Sequence, residues 1–481
     1  MGDPVVRSLS AEIVVIGSGP GGAITAACCA EAGKSVLLIE EGQNLSLESA
    51  AHFSPLEIIQ KYRNAGITVA MGREKIAYVE GRCVGGGSEI NRGLYHRTPE
   101  YVLENWRRNF GVKRASAADL EEHFAACEAV AKVEYLTGAK SLVSSQLYNG
   151  ANQLGWNTVE APRLYLYEKS GTGRKQSMSE TFIPRFLAAG GELMADTAVL
   201  HVQRSGARWK LEARRCPIGG ACQKLEILAD KVFVACGAVQ TPALLRRSGI
   251  RKNIGNSLRF HPMLKVVAEF DKEVNRIDDP DPVHQIKEFE PEIGMGCSIS
   301  KRPLLGLALV NHQGHFSVIE KNWSRMGLYY VQTTGGSATV RNFPMFRDPL
   351  VTVRHNAADL ANYAKGLKHL SEALFAAGAV KIYPCVAGYP VLSTVDEVRK
   401  LPDTFVGADG SLTSVHVFSS CPMGENTSLC ATDSFGRVQD TSGLYIADAS
   451  LLCGPTSVNP QGTVMAVAHR NAMHAIDNKF Q

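Results

Sequence analysis

A single stretch near the N-terminus constrains the architecture most. Residues 11–22 read Ala11-Glu-Ile-Val-Val-Ile-Gly17-Ser-Gly19-Pro20-Gly-Gly22, and residues 36–40 read Val-Leu-Leu-Ile-Glu40. The pattern predicts a buried strand, a glycine-rich turn, an alanine-rich helix over 23–32 and a second strand closed by a carboxylate. Gly17 permits the tight turn, Gly19 lets a pyrophosphate approach the backbone, and Gly22 lets the helix pack on the sheet. The helix N-terminus offers free N–H groups and a positive dipole end to phosphate. Glu40 stands where a carboxylate accepts hydrogen bonds from an adenosine ribose. This unit predicts a bound dinucleotide and does not separate FAD from NAD.

The remaining bounds are broad. A chain of 481 residues has room for two or three domain-sized units. A net charge of only +4 asks for neither nucleic acid nor an anionic membrane. No apolar run reaches the roughly 18 residues a membrane span needs. Met1-Gly-Asp-Pro leads almost at once into the first strand, so no signal peptide is expected. The twelve cysteines are scattered, none in a C-x-x-C pair, and free thiols in a reducing cytoplasm are the expectation. Cys216 and Cys222 flank Pro-Ile-Gly-Gly-Ala and could face each other across a turn. No metal site is expected; His312 and His315 read as loop histidines without carboxylate partners.

Along the chain, residues 101–135 read as helical, with Leu120, His123, Phe124 and Cys127 at helical spacing. Val199–Gln203 reads as a strand and Leu225–Leu228 as its hairpin-like continuation. Lys231–Gly237 reads as a buried strand, followed by a helix from Thr241. Leu264–Phe270, Gly327–Gln332, Ala338–Arg341 and Leu350–Arg354 predict a mostly antiparallel sheet. A helix over Ala357–Ala377 follows, its face marked by Leu360, Tyr363, Leu367, Leu370 and Leu374. His261-Pro262 reads as the end of a strand connection, and Tyr329, Tyr330, Trp323 and Phe343 as core aromatics or pocket lining. The expected fold is α/β. A discontinuous Rossmann-like nucleotide-binding domain (1–100, 181–260 and 406–481) is interleaved with a mostly antiparallel-sheet substrate-binding or cap domain (101–180 and 261–405).

Three further motifs carry a family resemblance. Gly81-Arg82-Cys-Val-Gly85-Gly86-Gly87-Ser88-Glu-Ile-Asn91 is a glycine-dense loop able to bring N–H groups against a ligand. Gly237-Ala-Val-Gln-Thr241-Pro242-Ala-Leu-Leu-Arg-Arg-Ser248-Gly249-Ile250 follows a strand, with Pro242 suited to a first helical turn. His416-Val-Phe-Ser-Ser-Cys-Pro-Met-Gly424 pairs with Ser457-Val-Asn459-Pro460-Gln-Gly-Thr463, and Gly443-Leu-Tyr-Ile-Ala-Asp448-Ala449-Ser450 lies between them. In this order, with the N-terminal unit, they resemble the glucose–methanol–choline (GMC) oxidoreductases along the whole chain. The 81–97 loop and Arg174–Phe182 look more like members acting on long-chain or hydrophobic alcohols than like sugar oxidases.

The resemblance implies FAD, and hydride transfer from an alcohol carbon to flavin N5. It implies a small-molecule alcohol substrate, oxygen or another electron acceptor, and His416 as the base. A neutral imidazole, with its ordinary pKa near working pH, suits that task. Asn459 cannot act as a base but can hold the substrate oxygen. Cofactor contacts are implied for Gly17, Gly19, Pro20, Gly22, Glu40, Arg82, Gly85, Gly86, Ser88, Asn91, Val199, Gly237, Asp448, Ala449, Asn459, Pro460 and Thr463. Asp448 matches a residue at the ribityl or phosphate portion, and Val199 one that reaches adenine through its backbone. Pro460 fits the start of a helix whose dipole faces the flavin. Some members attach flavin covalently through a histidine where this chain has Ile90, so non-covalent FAD is expected. Thr98 with Pro99, and Arg251, also depart from the family pattern. A lyase or a flavin-dependent decarboxylase on the same fold is the alternative chemistry.

Overall fold

The computed structural model describes residues 6–168, 172–405 and 412–479. The Met1-Gly-Asp-Pro start and residues 406–411, at one expected domain edge, lie outside the described residues. The side chain of His315 does too.

The first strand, Arg7–Ile16, sits inside a seven-stranded sheet. Ile13, Val14 and Val15 are fully buried, the continuous apolar run expected of a parallel strand covered on both faces. It pairs in parallel with Val36–Ile39 on one side and Gln223–Val234 on the other; Glu192–Met194 and Leu444–Ile446 extend the parallel set. On its other edge Gln223–Val234 serves two further partners. Its last residues pair with Leu444–Ile446, and its first half is antiparallel to Arg208–Arg215, which pairs with Thr197–Ser205. Arg215 opposes Gln223 at the end of that hairpin, and Cys216 and Cys222 beyond them form a disulfide. The expectation of free thiols fails at this pair, because the antiparallel register delivers both cysteines to one turn.

Pro20–Glu31 is buried along most of its length, packed against the sheet and against Gln461–Asp477. The expected 101–135 helix is broken. Glu100–Asn105 runs into a π-helical turn at Trp106–Phe110 that Gly111 ends in the left-handed region, and Ala117–Ala131 restarts under a Ser116/Asp119 capping box. Ala117–Ala131 packs on Gln461–Asp477, and Leu120, Phe124 and Cys127 share a core with Ile13 and Ile24. Residues 101–131, expected in the substrate part, therefore bury their apolar side with the first, seven-stranded sheet.

The second sheet has nine strands and is antiparallel except where Leu412–Ser414 meets Ile76–Tyr78. Met263–Phe270 and Met326–Thr333 form its centre, followed outward by Ile293–Cys297, His284–Ile286 and Thr158–Glu160. Thr68–Ala70, Ile76–Tyr78 and Leu412–Ser414 belong to this sheet, although they lie within the stretches expected in the nucleotide domain. Ser337–Arg341 and Leu350–Arg354 pair with each other as a separate ribbon. Ala357–Ala376 covers the sheet with Tyr363, Leu367, Leu370 and Leu374 inward, and Gly378 follows it at φ +94°.

One helix starts earlier than its sequence suggests. Gly237–Arg247 begins four residues before Thr241, so Pro242 lies inside it. Proline removes the N–H that would have bonded the Ala238 carbonyl. Ser420 Oγ donates to that carbonyl at 2.6 Å, which lets the helix run through. Among the described residues no helix is long and apolar enough to cross a membrane.

Candidate active site

The two sheets meet along a cavity of about 830 Å³. Its nucleotide end is built by the glycine turn. Gly17 has φ +99°, and a Cβ there would lie 2.2 Å from the Ala235 carbonyl oxygen, so a side chain is excluded twice over. Gly22 sits so close to Gly17 that a Cβ would lie 1.9 Å from its carbonyl oxygen; it packs the helix and does not face the cavity. Gly19 caps Pro20–Glu31 with no side-chain acceptor, leaving the first-turn N–H groups directed at the cavity wall.

Glu40 is buried and lines the cavity. One carboxylate oxygen accepts from the Ser18 N–H at 3.0 Å and Ser18 Oγ at 2.7 Å, the other from the Gly42 N–H at 2.8 Å. Burial raises its pKa, and these donors work against that rise. A carboxylate has about four acceptor sites, so capacity remains for a ribose. Ser18 also accepts the Gly85 N–H at 3.1 Å, clamping the glycine turn to the glycine loop. Sequence reasoning passed over Ser18, a small hydroxyl between two glycines.

The glycine loop divides its work. Gly86, Ile90 and Asn91 line the cavity. Gly85 and Ser88 do not: Ser88 Oγ donates to the Gly85 carbonyl at 2.7 Å and accepts the Met178 N–H at 2.9 Å, which holds the loop's shape. Arg82 turns away to Glu41, with Nε 3.3 Å from Oε1, outside the lining. Thr463 is likewise behind the wall, its hydroxyl 2.8 Å from that of Thr98. For Arg82, Gly85, Ser88, Gly22 and Thr463 the structure thus gives supporting positions, not cavity-facing ones.

On the opposite wall, Val199, Gly237, Asp448 and Ala449 face the cavity. The strand bulges just after Val199. Asp448 accepts the Gly237 N–H at 2.9 Å, the Thr241 hydroxyl and the Ser450 N–H at 2.7 Å, joining the start of Gly237–Arg247 to the C-terminal segment. Pro460 is the N-cap of Gln461–Asp477, and that helix end, also without a side-chain cap, reaches the cavity at Gln461.

At the far end His416 and Asn459 come together, with Asn459 Nδ2 3.2 Å from His416 Nε2. Gln285 Nε2 donates to Asn459 Oδ1 at 3.2 Å. That fixes the Asn459 amide so that Nδ2 donates to His416, which makes Nε2 an acceptor and puts the imidazole proton on Nδ1. His416 Nδ1 lies 3.1 Å from His261 Nδ1 and in that tautomer donates to it, which leaves the buried His261 Nε2–H without a partner among the described residues. His261 is fully buried and edge-on to Phe418 at 4.8 Å. Burial, then the Lys287 cation, pulls His416 down to about 3, away from the ordinary value its sequence suggested. Burial also pulls His96 down to about 3, and His261 well below its usual range. Neutral imidazoles are therefore held ready at neutral pH.

His261 and Gln285 were invisible as site residues in the sequence. A histidine before a proline was the only available signal for His261, and nothing marked Gln285. Among the expected aromatics, Tyr330 lines the cavity. Tyr329 is core with its hydroxyl on the Val143 carbonyl, Trp323 donates to Ser300, and Phe343 is exposed. His312 bonds the Pro384 carbonyl at 2.7 Å. Among the described residues no three potential metal ligands cluster.

Residues 12–63 match the FAD binding domain model, and 58–263 and 343–468 match the two GMC oxidoreductase models. A GMC-type oxidoreductase, y4nJ of Sinorhizobium fredii, is 34% identical over 98% of this chain and 95% of its own length. The long-chain-alcohol oxidase FAO4A of Arabidopsis thaliana is 25% identical over 99% of this chain and 69% of its own. The crystal structure of pyridoxine 4-oxidase from Mesorbium loti superposes with a TM-score of 0.71 at 17% identity, covering 96% of this chain and 99% of that one, which is a likeness of fold. With its nucleotide turn, its paired His416 and Asn459 and its match along nearly the whole of y4nJ, this chain belongs to the GMC oxidoreductase family.

Proposed function

We propose that the protein oxidises the CH–OH group of an apolar alcohol to a carbonyl with non-covalently bound FAD. The observation that carries the reading is the His416–Asn459 pair, 3.2 Å apart in the same cavity as the glycine turn. The cradle fits the cofactor: a side-chain-free turn at Gly17, an uncapped helix N-terminus at Gly19 for pyrophosphate, and Glu40 with acceptor capacity for ribose. Ile90 lines the wall where a covalent link would need a histidine. FAD, when bound, supplies the hydride acceptor.

The residues of the chain move the proton. A substrate hydroxyl placed between His416 and Asn459 presents its hydrogen to the His416 Nε2 lone pair while Asn459 Nδ2 donates to its oxygen. As the carbinol carbon loses hydride, the O–H proton passes to Nε2 and the C=O bond forms. His261 accepts from Nδ1 throughout, holding the tautomer that keeps Nε2 free. The similarity to the plant long-chain-alcohol oxidase supports an alcohol, and the apolar lining supports a hydrophobic one.

The test is anaerobic addition of aliphatic, aromatic and sugar alcohols to the purified flavoprotein. Bleaching of the oxidised-flavin band by apolar alcohols is the expected result, with at least a hundredfold slower bleaching for His416→Ala. Rapid recovery in air marks an oxidase, and slow recovery marks a dehydrogenase with another acceptor. Parental bleaching in His416→Ala removes that residue from the mechanism. A substrate consumed without net bleaching under anaerobic conditions replaces the reading with lyase or decarboxylase chemistry.

A further inference from the structure

The second sheet carries a lysine that the chemistry at His416 does not use. Gln285, Gly296, Tyr330 and Lys265 form one row across four neighbouring strands. The row begins beside the reacting end, because Gln285 holds Asn459. At Gly296 a Cβ would lie 2.4 Å from Tyr330 Oη, so the missing side chain lets the tyrosine ring lie across this position toward Gln285. Lys265 Nζ sits beyond it, 5.1 Å from the Tyr330 ring centroid. Three strand spacings separate the ends of the row, about 14 Å, roughly the length of a ten-carbon chain.

Around Lys265 the wall turns apolar, with Ile299, Leu304, Leu307, Ala308 and Leu328 all lining the same cavity. Leu307 is 70% exposed and so marks a rim. Lys265 faces the cavity. An ammonium has three donors. One goes to Ser298 Oγ at 2.7 Å, and among the described residues no carboxylate pairs with the charge. Burial pulls Lys265 down to about 8, so it is mostly protonated at neutral pH. A cation enclosed by apolar side chains without a counter-ion is costly, and an anion brought by a ligand offsets that cost.

We propose that Lys265 seats a carboxylate carried on the end of the substrate remote from its hydroxyl, with Ser298 orienting the ammonium and the Tyr330 ring separating it from the reacting end. The inference rests on the alcohol-oxidase reading for the other end of the molecule. The preferred substrate is then an amphipathic ω-hydroxy acid of about ten carbons, not a simple alkanol.

Calorimetric titration of the holoenzyme with decanoate, which lacks the reacting hydroxyl, and with 1-decanol tests it. Wild-type protein should bind decanoate more tightly at pH 7 and lose that preference between pH 7 and 9.5 as Lys265 deprotonates. Lys265→Met should lower the decanoate-to-decanol affinity ratio at least tenfold, and Lys265→Arg should restore most of it. Equal wild-type affinities, a preference flat with pH, or a ratio within twofold of wild type in folded Lys265→Met would each overturn the seat. If Lys265→Met does not fold, the wild-type pH series and Lys265→Arg decide. Oxidation of 1-decanol and 10-hydroxydecanoate separates the two proposals. Pronounced Lys265-dependent decanoate binding with no bleaching by either alcohol sinks the oxidase reading and leaves the anion seat standing. Bleaching by decanol without decanoate binding does the reverse.

Discussion

Replacing His261 by leucine tests the arrangement behind His416 most directly. The two Nδ1 atoms lie 3.1 Å apart, and His416 is the donor because Asn459 occupies its Nε2. Leucine fills a similar volume against Phe418 but accepts nothing. The His416 Nδ1–H is then buried and unpaired, or the ring adopts the other tautomer and Nε2 can no longer take a proton. Leaving a buried donor unsatisfied costs about 1–3 kcal/mol. If that cost falls on the reactive tautomer, the rate of flavin reduction drops roughly 5- to 150-fold. Stopped-flow reduction under anaerobic conditions reads this at saturating alcohol, where altered substrate affinity drops out. His261→Asn, whose Oδ1 can stand near the lost Nδ1, should recover part of the rate, which a purely packing role would not give. A folded, flavin-loaded His261→Leu that is reduced within twofold of the wild-type rate would refute the tautomer argument.

Other expectations follow from single contacts. Gly17→Ala should be isolated without flavin, because its Cβ would meet the Ala235 oxygen at 2.2 Å in a backbone of φ +99°; a normal flavin-to-protein absorbance ratio would contradict this. Ser420→Ala should cost about 1–3 kcal/mol in denaturant unfolding, since the Ala238 carbonyl would be left without a donor beside Pro242. Acid should destabilise the fold early: the folded-state pKa of His416 and of His96 is depressed, so stability is full above about 6.5 and is lost as pH falls from there toward 3. For His416, whose ring is largely buried, this amounts to about 2 kcal/mol by pH 5, with less for the more exposed His96, and urea midpoints unchanged between pH 7.5 and 5 would count against that burial.

What the sequence revealed follows the distance between cooperating residues. The glycine turn and Glu40 were legible because the strand, turn and helix that hold a dinucleotide are contiguous. The strands at Met263–Phe270 and Met326–Thr333 were legible from their β-branched and aromatic residues, a property of each segment alone. The partners of these strands were not. Ile76–Tyr78 and Leu412–Ser414 join the second sheet through register chosen in the folded chain, and neither segment carries a mark of that choice. The same limit hid His261, whose role exists only because Met263–Phe270 and the His416 segment converge. It also explains the extra turn before Thr241. Proline at position 242 reads locally as a helix start, and only Ser420, far along the chain, makes an interior proline tolerable there. Motifs of ligand contact are local because a small ligand is gripped by short loops. The choice of base tautomer and the placing of a remote cation both depend on the sheet between them. If the proposed seat at Lys265 holds, substrate discrimination in this chain is to be sought in the cross-strand row of Gln285, Gly296, Tyr330 and Lys265, where changing one residue would alter what lies between the two ends of the substrate.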